Sequence, residues 1–150
     1  MFRGSFEHTL DAKGRLSVPA KFREVLLGKG DDRIVITNFV VDSTRCLDIY
    51  PLDEWLRFEE EIRKKPRFER RMVSFQNYYL GGASECVVDK QGRILIPPLR
   101  RQYANLKRDV VLVSALDKFR VWDKEAWKKV FAEAEDKLMQ DPDFLGDLGL

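Results

Sequence analysis

The strongest constraint on the fold of this chain is an internal repeat. Residues 11–23 read DAKGRLSVPAKFR and residues 89–101 read DKQGRILIPPLRR, at an offset of 78 positions. Further along, LDIYPLDEW at 47–55 matches the character of FRVWDKEAW at 119–127, at an offset of 72. A duplicated module of about 60–70 residues is the simplest account of both matches. The positions identical in the first pair are Asp11/Asp89, Gly14/Gly92, Arg15/Arg93, Pro19/Pro97 and Arg23/Arg101.

Each module carries the local signals of the same series of elements. A short strand leads to an Asp-x-x-Gly turn, where glycine supplies a positive φ. The next strand points Leu16 and Val18 inward, and a proline then stops the strand and begins a helix. We expect the first such helix to end at Gly28 and the second to span 98–106. A hairpin and a closing amphipathic helix complete each module. The predicted apolar stripes are Leu99, Tyr103 and Leu106 on the helix over 98–106, Trp55, Phe58 and Ile62 on the first closing helix, and Trp127, Val130, Phe131, Ala134 and Leu138 on the second.

The segment between the two modules predicts a connecting helix. Phe68, Met72, Phe75 and Tyr79 fall at helical spacing, and we favour core packing over partner binding for such stripes. The chain ends in the polar sequence DPDFLGDLGL. The predicted organisation is a first repeat over 1–65, a connecting helix and linker over 66–81, a second repeat over 82–140, and a polar C-terminal tail over 141–150.

Composition predicts a folded domain outside the membrane. The 150 residues are 44% hydrophobic and include ten Phe, three Trp and four Tyr, which need a dry core. No apolar segment approaches the roughly 20 residues that a membrane span requires. The opening MFRGSFEHTLDAKGR has no apolar stretch of a secretory signal, and Cys46 and Cys86 lie in no metal or redox spacing. We therefore expect a cytoplasmic protein with free thiols.

The residues that enzymes use are scarce. The single histidine, His8, has no supporting nucleophile set, and one His with two Cys is too few for a zinc site of about four ligands. A catalytic pair of Asp11 and Asp89 is the weaker alternative, because aspartate beside a Gly-Arg turn usually caps the backbone or pairs with the arginine. We expect no catalytic residues, no metal and no cofactor.

The net charge of +2 hides an alternation along the chain. Residues 1–30 carry a net +3 and residues 89–108 a net +5, whereas residues 31–56 and 109–150 each carry −4. Each repeated turn lies in one of these two basic segments, and residues 57–71 carry a further net +3. A basic patch indicates a polyanionic partner, and a solvated face of mixed charge is the alternative.

Each turn is followed at once by an arginine on a strand. An arginine fork can contact phosphate or read guanine O6 and N7 together, and a neighbouring aspartate can hold the fork in place. The alternative is an internal Asp–Arg pair that only stabilises the hairpin. Because both copies keep Asp, Gly and Arg inside basic segments, we favour a binding surface.

The sequence resembles a known protein family. The opening MFRGSFEHTLDAKGRLSVPAKFR and the repeated DxxGR signature followed by proline are similar to the MraZ family of bacterial transcriptional regulators. The wider relatives of that family are the AbrB/MazE-type swapped-hairpin DNA-binding domains. The resemblance covers nearly the whole chain, least clearly the last ten residues. The family pattern Asp-x-x-x-Arg is matched by Asp11 with Arg15 and by Asp89 with Arg93.

The resemblance implies an α+β fold in which two tandem swapped-hairpin AbrB/MazE-like repeats form one small β-barrel with flanking helices. It implies a nucleoid-associated regulator, mainly a repressor, that binds direct repeats of double-stranded DNA in the promoter of the division and cell-wall gene cluster. It also implies a homo-oligomeric ring. The alternative function is a protein-interaction or antitoxin-like scaffold. The expected DNA-binding residues are Arg15, Arg93, Lys13, Lys90, Arg3, Arg23 and Arg101, supported by Asp11, Gly14, Asp89 and Gly92.

Overall fold

A computed structural model describes residues 1–150 and contains eight strands and six α-helices. The predicted α+β class is confirmed. In chain order the elements are β1 Ser5–Thr9, β2 Arg15–Ser17, α1 Ala20–Lys29, β3 Arg33–Val41, β4 Thr44–Pro51, α2 Leu52–Arg63, α3 Arg70–Phe75, β5 Ser84–Val87, β6 Arg93–Leu95, α4 Pro98–Tyr103, β7 Asp109–Ala115, β8 Lys118–Asp123, α5 Lys124–Met139 and α6 Pro142–Asp147. The α3 helix continues directly into a π-helical segment, Gln76–Leu80.

The strands pair across the two copies of the repeat. The larger sheet has six antiparallel strands in the order β1-β7-β8-β4-β3-β5, and the smaller sheet pairs β2 with β6. The first strand of each copy therefore lies beside the hairpin of the other copy. The equivalent strands β4 and β8 pair with each other, as do β2 and β6. This exchange relates the two copies by an approximate two-fold axis.

The larger sheet is open, with β1 and β5 at its edges. The closed barrel expected from the resemblance is not found, because β2 and β6 form a separate sheet instead of joining the edges. A single bridge between Leu10 and Leu16 links β1 to β2. The exchange of strands is observed, whereas its correspondence to the swapped hairpin of the wider relatives stays a prediction.

The main core lies between the two sheets. Leu16 and Ile94 project from the smaller sheet and are almost fully buried, facing apolar side chains of the larger sheet such as Ile36 and Leu112. Three phenylalanine rings, from Phe2, Phe22 and Phe119, pack in the same cluster with centroids 5.0–5.1 Å apart. Burial of this apolar surface is the main force that holds the small sheet against the large one.

Helices cover much of the outer face of the larger sheet. On the first copy, α2 and the π-helical segment pack Trp55 and Tyr79 against Tyr50. On the second copy, α5 packs Val130 near Trp122. Core packing of the apolar stripes is therefore confirmed for these side chains. It is wrong for five members of the predicted stripes, which are exposed: Phe68, Leu99, Phe131, Ala134 and Leu138.

The two helices that follow the repeated turns end at other residues than the sequence predicted. The α1 helix runs through Gly28 and ends at Lys29, because the next residue, Gly30, has a φ of 70° in the left-handed conformation that stops a helix. The α4 helix ends at Tyr103, short of the predicted residue 106, and Asn105 follows with φ 52°.

Two further boundaries differ from the sequence prediction. The connecting helix begins at Arg70, because the Glu69 side chain accepts a hydrogen bond from the Met72 amide and caps the helix there. The tail predicted as merely polar contains α6, capped by Asp141 and started by Pro142. None of the helices combines the length and the apolar run needed to cross a bilayer.

Candidate nucleic-acid interface

The first repeated turn is closed by one aspartate. The Asp11 Oδ1 atom accepts hydrogen bonds from the backbone amides of Lys13 and Arg15, each at 2.9 Å. The Gly14 amide donates to the Asp11 carbonyl oxygen at 3.0 Å. Gly14 adopts a φ of 83°, which side chains strongly disfavour. The DxxGR sequence thus specifies a rigid turn from local contacts alone.

The second turn repeats this geometry. Asp89 Oδ1 accepts from the amides of Gln91 and Arg93, each at 2.9 Å, and the Gly92 amide donates to the Asp89 carbonyl at 2.9 Å. Gly92 has a φ of 76°. The prediction that glycine supplies positive φ in both turns is confirmed.

Each aspartate also holds the arginine that follows its turn. Arg15 Nε donates to Asp11 Oδ2 at 2.6 Å, and Arg93 Nε donates to Asp89 Oδ2 at 3.1 Å. The terminal Nη nitrogens of both arginines donate no hydrogen bond within the chain, and the two side chains are 34% and 30% exposed. The Asp–Arg pair and an available guanidinium edge therefore coexist, since the pair uses Nε and leaves the outer fork free.

Both arginines lie on the same outer face of the smaller sheet. Leu16 and Ile94 are directly opposite each other and point into the core. The neighbouring pairs, Arg15 with Leu95 and Ser17 with Arg93, must point outward because side chains alternate along a strand. The two arginines are diagonal neighbours, and residues in such a pair are about 7–8 Å apart.

A second pair of arginines supports the turns from across the two-fold axis. Arg101 of α4 lies over Gly14, and Arg23 of α1 lies over Gly92. A Cβ atom at either glycine would come within 2.5 Å of the arginine side chain above it. Arg101 Nε is further fixed by donating to the Ile96 carbonyl at 3.1 Å. Each copy thus places its helix arginine on the turn of the other copy.

The electrostatics of the turns favour the ionised pairs. The amide and guanidinium donors of Arg15, with the Lys13 amide, lower the pKa of Asp11 to about 2. The pKa of Asp89 is also lowered, first by the Arg93 amide and then by the Gln91 amide and the Arg93 side chain. Both carboxylates are ionised at neutral pH and occupied by donors, which does not suit the catalytic acid–base alternative.

The remaining predicted residues divide into two groups. Lys13 and Lys90 are exposed at the tips of the turns. Arg3 is exposed but stands at the other end of β1, next to the bridge between Phe2 and Leu116. Seven residues of mostly extended chain lie between Arg3 and Asp11, which separates them by roughly 25 Å. The structure therefore does not bring Arg3 to the surface that holds the other six basic residues.

Three residues of this surface were not singled out by the sequence. Leu95 is opposite Arg15 on the outer face and is 53% exposed. Lys107 and Arg108 line a groove beside the first turn together with Asp11 and Arg101. The only sequence signal for Lys107 and Arg108 was that they belong to the basic segment 89–108. Their position beside the first turn depends on the pairing of β1 with β7, which the sequence does not show. No group of three or more His, Cys, Asp or Glu side chains in residues 1–150 could hold a metal.

Comparison with known proteins identifies the family. The family model described as "MraZ protein, putative antitoxin-like" matches residues 1–77 and 79–145. The chain belongs to the MraZ family. The two turns described above fall one in each matched segment of this MraZ chain.

Curated MraZ relatives align over almost the whole chain. A protein of Desulfitobacterium hafniense (strain DSM 10664 / DCB-2) is 40% identical over 150 residues, which is 100% of both chains. One from Syntrophobacter fumaroxidans is 40% identical over 99% of this chain and 97% of its own. One from Natranaerobius thermophilus is 42% identical over 90% of each chain. All three are named "Transcriptional regulator MraZ", a name that describes a regulator and not an enzyme.

Proposed function

We propose that this chain is a sequence-specific DNA-binding regulator that reads duplex DNA through Arg15 and Arg93. The observation that carries the proposal is the paired arrangement of these arginines. Each guanidinium is held through Nε by its own aspartate, and both lie on one outer face of a two-stranded antiparallel sheet. The names of the relatives support a regulator of transcription.

The chemistry of the surface suits the major groove of DNA. That groove is about 12 Å wide and admits a two-stranded β-ribbon, where an arginine can bond guanine O6 and N7 together. An arginine already fixed by an aspartate loses less entropy on binding. Lys13 and Lys90, exposed at the turn tips, are placed to contact phosphates, and Leu95 offers an apolar surface for a thymine methyl group.

The finer features of the proposal concern targets and assembly. We propose a nucleoid-associated repressor that binds direct repeats in the promoter of the division and cell-wall gene cluster. The smaller sheet of one chain supplies few contacts to DNA. A homo-oligomeric ring, which presents several such sheets to repeated DNA sequences, would raise the affinity through effective concentration. Large exposed apolar side chains away from the ribbon, such as Phe68 and Phe131, support contacts between subunits. The strand exchange between copies supports the swapped-hairpin interpretation.

A gel-shift titration of Arg15→Ala tests the proposal. The probe is the region upstream of this chain's own gene, with random-sequence duplex as competitor. One lost bidentate base contact is worth about 1–3 kcal/mol, so we expect specific affinity to fall roughly 5- to 150-fold. Circular dichroism and the oligomeric state should not change, because Arg15 lies on the outer face of the smaller sheet, opposite to the core.

The matched control is Arg63→Ala, which removes an exposed arginine from α2. It should leave the affinity within twofold of the unaltered protein. Unchanged affinity of Arg15→Ala at every salt concentration would contradict DNA reading by this residue.

A protein-interaction scaffold is the second candidate, favoured by the antitoxin-like description of the family and by the exposed apolar side chains of α5. Pull-down from the native cell extract separates the two functions. Recovery of one protein partner in stoichiometric amount, with no DNA retained, would favour the scaffold.

A further inference from the structure

Two grooves flank the smaller sheet, one beside each turn. The groove beside the first turn has a volume of about 870 Å³ and contains Asp11, Arg101, Lys107 and Arg108 in its lining. The groove beside the second turn has a volume of about 740 Å³. Its charged lining residues are Arg23, Asp31, Asp32, Arg33, Asp89 and Lys90. The grooves are similar in size and position but differ in charge.

The backbone shows that the differing charges occupy equivalent positions. The Leu10 amide donates to the Arg108 carbonyl at 2.8 Å beside the first turn, and the Val88 amide donates to the Asp32 carbonyl at 2.9 Å beside the second. Arg108 and Asp32 are therefore related by the two-fold axis. The residues before them, Lys107 and Asp31, are related in the same way. At both positions a basic residue lies beside the first turn and an acidic residue lies beside the second.

Ion pairs within each groove do not cancel the difference in charge between the two grooves. In the second groove, Asp31 is occupied by Arg33 at 2.8 Å, so Asp32 is the acid that remains without an ion pair. In the first groove, Arg108 forms no ion pair, and Lys107 reaches Asp123 only at 3.7 Å while 77% of its side chain is exposed. The next residue reverses the signs, Arg33 against Asp109, but Asp109 does not line the first groove.

We infer that Lys107 and Arg108 hold the DNA phosphate backbone beside the first turn and that Asp32 keeps phosphates from the equivalent place beside the second turn. The inference rests on the proposed DNA binding and adds two contact residues and a direction to it. Phosphate contacts fix the register and orientation of a protein on a duplex. A chain with two similar reading turns, but with two adjacent basic residues beside only the first of them, would bind its site in a single orientation.

Fluorescence anisotropy at several KCl concentrations tests the contact residues. The variant is Lys107→Ala/Arg108→Ala, and the probes are a random-sequence 30-base-pair duplex and the region upstream of the gene. Loss of two phosphate contacts should reduce the salt slope by about 1.8 and weaken binding to both duplexes about 30-fold at 0.15 M salt. The backbone amide of Lys107 that donates to Asp123 is retained in the variant.

Three further variants sharpen the result. Arg63→Ala/Lys64→Ala removes the same charge from the exposed C-terminal end of α2 and should change affinity less than twofold. Arg108→Gln removes one charge but keeps a polar side chain, and it should lower the slope by about 0.9. Asp32→Asn removes the acid beside the second turn and should tighten binding to both duplexes.

Neutral methylphosphonate linkages on either flank of the footprint test the direction of binding. Linkages on one flank alone should weaken the unaltered protein, and Lys107→Ala/Arg108→Ala should lose this difference. Equal effects on the two flanks, or a Lys107→Ala/Arg108→Ala variant that binds as tightly as the α2 control, would overturn the inference. In that case continued loss of binding in Arg15→Ala would leave the proposed function standing, whereas an unaltered protein that binds neither duplex would overturn both.

Discussion

At the scale of single residues, each repeated turn depends on one glycine, Gly14 or Gly92, whose positive φ other residues adopt only with strain. Gly14 has a φ of 83°, and a Cβ there would lie 2.5 Å from Cζ of Arg101. We expect Gly14→Ala to lower the free energy of unfolding by about 1–2 kcal/mol through backbone strain, and to displace the arginine above the turn. Urea denaturation monitored by fluorescence measures this loss.

Gly28 provides the matched control within the same copy. It lies inside α1, its φ is not positive, and a Cβ there would meet open space. Gly28→Ala should therefore raise the free energy of unfolding by about 0.5–1 kcal/mol, since alanine favours the helix. If both substitutions shifted stability in the same direction, the strain assigned to the turn would be wrong.

The ion pair of the first turn gives a prediction about pH. The pKa of Asp11 is lowered to about 2, first by the Arg15 amide and second by the Arg15 side chain. A lowered pKa means that the folded turn favours the ionised form, so its contribution is complete above the ordinary value of 3.8 and is lost as the pH falls through about 2. Carboxyl NMR titration measures the midpoint directly.

The same titration in Arg15→Ala separates the two causes. The midpoint of Asp11 should rise but stay below 3.8, because the backbone amides still donate to the carboxylate. A midpoint at 3.8 in the unaltered protein would show that the turn is not closed by this carboxylate.

At the scale of elements, the connecting segment is held to the larger sheet by a buried polar network. Tyr79, on the π-helical segment, donates from its hydroxyl to Asp48 at 2.5 Å and lies 2.7 Å from the Tyr50 hydroxyl. Tyr79→Phe should cost about 1–3 kcal/mol of unfolding free energy, because it removes a donor from a fully buried carboxylate. Tyr50→Phe should cost less, since Asp48 keeps both of its donors.

Equilibrium denaturation of the two tyrosine variants gives the comparison. Hydrogen exchange would localise the effect, with faster exchange expected in the π-helical segment of Tyr79→Phe. Equal losses in the two variants would mean that the bond to Asp48 is not the main attachment.

Elements were predictable from the sequence where local contacts decide them. Alternation, turn residues and helical spacing predict both turns, the four strands of the two hairpins, and the closing helices. The connecting helix was displaced, because the Glu69 cap starts it at Arg70 and leaves Phe68 exposed, and a π-helical segment cannot be read from a regular period. The exchange that brings Arg101 to Gly14, and Arg108 to the first turn, depends on pairing between distant strands, which no local pattern specifies.

At the scale of the whole molecule, the two copies meet at a charged pair. Asp48 on β4 is directly opposite Arg120 on β8, where equivalent strands of the repeat cross the two-fold axis. In a symmetric pair of identical modules the same residue would face itself. Here Arg120 Nε donates to Asp48 Oδ1 at 2.8 Å and its guanidinium stacks on Phe39. The complementary charges make the two copies distinct partners, which favours pairing within the chain.

This pair yields a prediction about the cooperation of the two copies. Arg120→Met should cost about 3–5 kcal/mol, because it leaves a fully buried carboxylate without its cation. The double variant Asp48→Leu/Arg120→Met should recover much of that loss, since removing both charges also removes the cost of burying them. Part of the loss should remain, because Tyr79 loses its acceptor and keeps only Tyr50. Urea denaturation of the two single variants and the double variant measures the coupling between the copies. Losses that simply add would show that the charges act independently, and that the contact across the axis does not determine how the copies pair.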